Sequence, residues 1–77
     1  MPADPLHALI AGTLGVLPEE INELSDTGNT GRWDSLRHLM LMTELETHYG
    51  IEFTEQEMAG ATSVVKIRAL LGERGVG

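Results

Sequence analysis

Apolar residues recur along this chain at helical rather than strand spacing. Leu6, Leu9, Ile10 and Leu14 form a first stripe. Asp4 is placed to cap that helix and Pro5 suits its first position. Gly12 and Gly15 weaken it and predict an end near Val16. Residues 18–33 then form a long connection punctuated by Pro18, Gly28, Asn29 and Gly31. Within it, Glu19 to Leu24 are expected to make a short helical turn, with Ile21 and Leu24 anchoring the loop to the core. A long ordered connection is often a functional one.

The main helix is predicted from about Asp34, a good N-cap, to Tyr49, with Gly50 as its stop. At about 100° per residue, Leu41, Met42 and Tyr49 fall within about 60° of Leu45 and make the core face. His38 lies on the core side near the helix start, under the loop. Leu36 and Met40 point the other way, in line with Thr43 and Thr47, and Glu44 and Glu46 occupy the flanks. An apolar pair on an outward stripe predicts a docking surface. A broad core covered by the loop on both sides is the plainer alternative. Thr54 and Glu57 form a capping box for a short third helix with Glu55 to Ala59 as its body. A last helix starts near Thr62 or Ser63 and carries Val64, Val65, Ile67, Leu70 and Leu71. Gly72 and the Gly75-Val76-Gly77 tail are expected to end it. There is no hairpin signal and no internal repeat. The expected fold is all-α: a single domain over residues 1–77, a small four-helix bundle of three main helices and one short one.

Composition sharpens this picture. At 77 residues, the chain has little room to enclose a catalytic pocket. It contains no cysteine, so any thiol chemistry must come from an added group. Twelve acidic residues against five basic ones give a formal charge of −7. Residues 1–31 hold Asp4, Glu19, Glu20, Glu23 and Asp26 with no Lys or Arg. Residues 38–57 hold Glu44, Glu46, Glu52, Glu55 and Glu57, again with none. Such a surface repels nucleic acid and anionic lipid and steers basic proteins toward it. Acidity that simply keeps a small protein soluble is the plain alternative. The first residues, MPADPLHALIAG, have no basic n-region, and no run approaches the ~20 apolar residues of a membrane span. A soluble, cytoplasmic monomer is the expectation.

Ser35 falls at the start of the main helix, near unsatisfied backbone N–H groups and the positive end of the helix dipole. A phosphate attached there is favoured electrostatically. Taken alone, Asp34-Ser35 at a helix start reads more readily as a simple cap.

Trp33-Asp34-Ser35-Leu36, opening a helix that runs into Leu-Glu-Thr-His-Tyr-Gly-Ile-Glu-Phe, resembles the Asp-Ser-Leu signature of acyl and peptidyl carrier proteins. The likeness extends over nearly the whole order of elements. The resemblance implies that Ser35 receives a 4′-phosphopantetheine arm from coenzyme A through a phosphopantetheinyl transferase. It implies that Asp34 helps the transferase engage and that Leu36 packs against partners. Met40 and Glu44 complete the expected partner face. The arm would supply the missing thiol and carry thioester cargo between loading enzymes and synthases with basic docking surfaces. The carrier itself performs no catalysis. Carriers of fatty-acid synthesis commonly have acidic residues where Arg37 and Met40 stand. The Trp-Asp-Ser-Leu form looks more like discrete carriers of bacterial polyketide or nonribosomal peptide metabolism. A primary fatty-acid carrier and an unmodified helical interaction module are the alternatives.

Other signals carry less. Asp26-Thr27-Gly28 matches the aspartic-protease tripeptide, but one copy in a helical chain reads as a turn. Residues 26–37 resemble a calcium loop only superficially, because Gly28 and Thr30 replace ligands and Arg37 replaces the bidentate Glu. His7, His38 and His48 are too scattered for a metal site. Serine hydrolysis at Ser35 lacks a nucleophile elbow and an oxyanion scaffold.

Overall fold

The computed structural model describes residues 4–76. Four helices enclose one core: α1 (Pro5–Leu14), α2 (Ser35–Tyr49), α3 (Glu55–Gly60) and α4 (Val64–Glu73). Among the described residues there is no β-strand, and no helix is long and apolar enough to cross a membrane.

The caps follow from side-chain chemistry at the predicted places. Asp4 Oδ1 accepts from the N–H groups of Leu6 and His7 at 2.9 and 3.4 Å, closing the start of α1. That helix ends two residues sooner than expected. Gly15 adopts φ +74°, a conformation that disfavours any side chain, and lets the Val16 N–H reach the Ala11 carbonyl at 3.0 Å. Gly50, at φ +66°, ends α2 in the same way. Thr54 and Glu57 form the reciprocal capping box of α3.

The core is built from Leu6, Ile10 and Leu14 of α1, Leu41, Met42 and Leu45 of α2, and Val64, Ile67 and Leu71 of α4. Tyr49, placed on the core face by its phase, is only half-buried against it. Helix α4 runs through Gly72 to Glu73, because its last carbonyls still find donors: Val76 N–H meets Leu71 O at 3.0 Å. Gly77, part of the expected terminating tail, lies outside the described residues.

The long connection is where expectation and structure differ most. Its helical turn is a 3-10 turn at Pro18–Glu20, closed by Glu20 Oε2 accepting the Leu17 N–H at 2.7 Å. Ile21 is buried as expected, but Leu24 is 80% exposed. Asn22 Oδ1 takes the Leu24 N–H at 2.7 Å and Asn29 Nδ2 donates to the Leu24 carbonyl at 2.8 Å, fixing a tight turn with the leucine outward. Trp33, only 2% exposed, supplies the second anchor. Asp26-Thr27-Gly28 is a turn, with Asp26 Oδ1 accepting from the N–H groups of Gly28 and Asn29 at 2.7 and 2.8 Å. Thr27 N–H to Thr62 O and Val64 N–H to Ser25 O then tie the loop to the start of α4.

Candidate functional site

The start of α2 is assembled from two fastenings. On the solvent side, Asp34 Oδ1 accepts the Arg37 N–H at 2.8 Å and Oδ2 accepts from Arg37 Nη1 at 2.7 Å. The Arg37 backbone N–H first, then the guanidinium charge, hold the Asp34 carboxyl below its ordinary range, outweighing slight burial. Asp34 is therefore anionic at neutral pH and already committed to the cap.

On the inner side, Trp33 Nε1–H donates to His38 Nδ1 at 3.0 Å, with the two rings 6.1 Å apart. An indole N–H can only donate, so Nδ1 accepts and the His38 proton sits on Nε2. That N–H donates to the Met58 carbonyl at 2.6 Å, joining the loop and α2 to α3. Half-buried His38 thus lies under the loop, as its phase indicated. Both its ring nitrogens are engaged away from Ser35, so it is not placed as a base for that hydroxyl.

Between these fastenings, Ser35 is the first residue of α2 and is exposed. Among the described residues its hydroxyl has no hydrogen-bond partner, because Asp34 caps the helix in its place. Leu36 and Met40 follow it outward, 68% and 50% exposed, and Glu44 is exposed beside them. All four residues expected around Ser35 — Asp34, Leu36, Met40 and Glu44 — are therefore at the surface of one helix. The sequence reading missed Leu39, which is 56% exposed and extends the apolar strip. Its spacing from Leu36 was the available signal. It also missed that this strip borders α1: Leu39, Met40, Thr43 and Glu44 line an open groove with Leu9 and Gly12.

A second polar cluster joins the far side of α1 to the loop and α4. Asp4, His7 and Glu23 bring three possible ligand atoms within 4.8 Å of one another. Arg68 fills the middle, its Nη2 bonded to both Asp4 and Glu23, while His7 Nε2 lies 3.2 Å from Glu23. The Arg68 hydrogen bond is the main cause holding the Glu23 carboxyl below its ordinary range. At Asp4, burial pushes the carboxyl up, and the Leu6 N–H, the Arg68 charge and His7 together pull it below its ordinary range. A cation there would have to displace a guanidinium already in place. The cluster reads as a staple between three segments. Compared with known proteins, the chain matches no family model and no curated protein sequence.

Proposed function

We propose that this protein is a non-catalytic acyl or peptidyl carrier, with a 4′-phosphopantetheine arm on Ser35. One observation carries the reading: in a Trp-Asp-Ser-Leu segment, the serine is exposed and unengaged while its neighbour does the capping. The site fits the group. A phosphodiester on Ser35 Oγ would stand at the positive end of α2, and no hydrogen bond or core side chain would have to move. When bound, the arm supplies the thiol that a cysteine-free chain lacks. The chain's own residues hold the attachment point: Asp34 fixes the helix start, and Trp33 with His38 fixes the segment before it. Leu36, Met40 and Glu44 offer partners an apolar strip with a carboxylate beside it. The departures at Arg37 and Met40 favour secondary metabolism over primary fatty-acid synthesis as the setting.

Attachment joins Ser35 Oγ to the phosphorus that bears the pantetheine, breaks the pyrophosphate link of coenzyme A and releases the adenosine bisphosphate. The serine proton leaves to a base on the transferase. Incubation with coenzyme A and a broad-specificity phosphopantetheinyl transferase should add the mass of one arm to the wild type and nothing to Ser35→Ala. Circular dichroism should remain helical in both. An unchanged wild-type mass with several active transferases refutes the carrier reading and leaves the unmodified interaction module.

A further inference from the structure

A chain of charge −7 has little positive charge to set against a further anion. A phosphodiester on Ser35 would stand one residue from the Asp34 carboxylate. Arg37 is the only Lys or Arg between residues 33 and 65. Arg32, the next cation along the sequence, is turned to the end of α1, where its Nε donates to Leu14 O at 3.1 Å. The local counter-charge for a group on Ser35 therefore comes from Arg37.

That guanidinium is held in place but only partly used. The Arg37 backbone N–H fixes the Asp34 carboxylate at 2.8 Å, which gives the side chain a stationary anchor. Nη1 then donates to Asp34 Oδ2 at 2.7 Å. Nη2 and Nε have no partner among the described residues, and the side chain is 34% exposed. A planar guanidinium has donors enough to keep one oxyanion and take a second. Ser35 and Arg37 lie in the same first turn of α2, two residues apart, so a phosphate on Ser35 is within reach of the long arginine stem.

We propose that Arg37 is the positioning residue of the arm: its guanidinium stays on Asp34 Oδ2 while its free N–H groups take an unbridged oxygen of the phosphodiester on Ser35. The inference rests on the carrier reading and adds to it a contact made only after attachment. A charge-assisted bond of this kind is short and directional. It fixes the root of the arm beside α2 and leaves the thiol end free. Lysine replaces it only in part, because an ammonium is a point charge without the guanidinium fork.

The test uses full chains of wild type, Arg37→Gln and Arg37→Lys. Each is loaded by a broad-specificity transferase with coenzyme A labelled at its pantetheine amides, and intact mass verifies one arm per chain. On loading, the Arg37 Nε–H resonance should move more than those of Arg32, Arg68 and Arg74. The phosphorus resonance of the loaded wild type should differ from that of Arg37→Gln, with Arg37→Lys between them. Added salt should shrink that difference. The pantetheine amide nearer the phosphate should be more ordered in wild type than in Arg37→Gln, and the farther amide equally mobile in both. The melting temperature of Arg37→Gln should stay within about 4 °C of wild type, because the cap bond comes from the backbone N–H and an exposed ion pair contributes little. A phosphorus resonance and near-amide order unchanged in loaded Arg37→Gln at low salt overturn the proposal and leave the carrier reading standing, since the mass shows the arm in place. An Arg37 resonance unmoved by loading does the same. A wild type that gains no arm refutes the carrier reading itself, and this contact with it.

Discussion

His38→Phe is the sharpest probe of how the Ser35 segment is held. The substitution keeps a ring of similar size and removes both polar contacts. Trp33 is almost completely buried, so its indole N–H would lose its only partner with little access to water. A buried donor left in that state costs about 1–3 kcal/mol. Met58 is only half-buried, so water can replace the 2.6 Å bond to its carbonyl, and the loss costs nearer the net value of one hydrogen bond, about 0.5–1.5 kcal/mol. Together these predict a loss of about 2–4 kcal/mol, a large share of the about 5–15 kcal/mol typical of a folded domain. For a domain of this size that lowers the melting temperature by roughly 10–30 °C.

The assay is denaturant and thermal unfolding followed both by circular dichroism and by the fluorescence of Trp33, the only tryptophan. His48→Gln is the control. His48 is exposed on the same helix, makes no side-chain hydrogen bond among the described residues and meets the Tyr49 ring edge-to-face, so that change should stay within about 0.5 kcal/mol. Amide exchange at Trp33 to Leu36 should accelerate in His38→Phe alone. A loss under about 1 kcal/mol in His38→Phe would show that apolar burial holds Trp33 unaided and that the Trp33–His38–Met58 chain is dispensable.

Two further outcomes follow from the packing and the charges. Leu45→Ala, at the fully buried centre of the α2 face, should destabilise by about 2–5 kcal/mol in urea unfolding; a loss below about 1 kcal/mol would refute the helix phase. Glu23 and Glu57 have folded pKa values below their ordinary 4.5, and Asp4 and Asp34 below their ordinary 3.8. A depressed carboxyl contributes stability above its unfolded pKa and loses it as pH falls through the folded value. Unfolding free energy should therefore hold from neutrality to about pH 4.5 and decline below it. Arg68→Gln, which removes the guanidinium from Glu23 and Asp4, should flatten that decline in part, and an unaltered slope would show that the Arg68 staple contributes nothing.

The helix starts, and the stop of α2 at Gly50, were legible because they rest on local chemistry. Asp4, Asp34, Thr54, Gly15 and Gly50 each cap through contacts within a few residues, so the sequence contains both partners. The inward phase of α2 was legible for the same reason: Leu41, Met42 and Leu45 lie on one stripe of one helix. Leu24 misled because hydrophobicity says nothing about which way a turn points. The direction comes from Asn22 and Asn29, whose side chains replace the backbone partners of a helix. Trp33 escaped because it precedes the helix and belongs to no periodic stripe; its position depends on a histidine five residues on and a carbonyl on α3. The groove was hidden for a related reason. Periodicity assigns Leu9 to a core stripe of α1 but cannot say where α2 crosses it, and the crossing leaves Leu9 shared between the core and the groove.

The division of labour between Asp34 and Ser35 has a physical consequence for the proposed carrier. A serine serving as N-cap contributes about 1 kcal/mol through its hydroxyl oxygen. Attaching a group to that oxygen would disturb the cap, and helix stability would change whenever the arm was added. Here the cap belongs to Asp34, whose carboxylate is further secured by Arg37, and Ser35 stands one position inside with its hydroxyl spare. Modification of Ser35 would therefore leave the cap hydrogen bonds of α2 intact and add only a favourable charge at the helix start. The same separation runs along α2. Leu41, Met42 and Leu45 hold the fold on one side, while Leu36, Leu39 and Met40 face outward on the other. A chain this short has only one long helix on which to place both tasks. It gives the core and the proposed docking strip each its own face and leaves Ser35, the proposed attachment point, at the start of the helix.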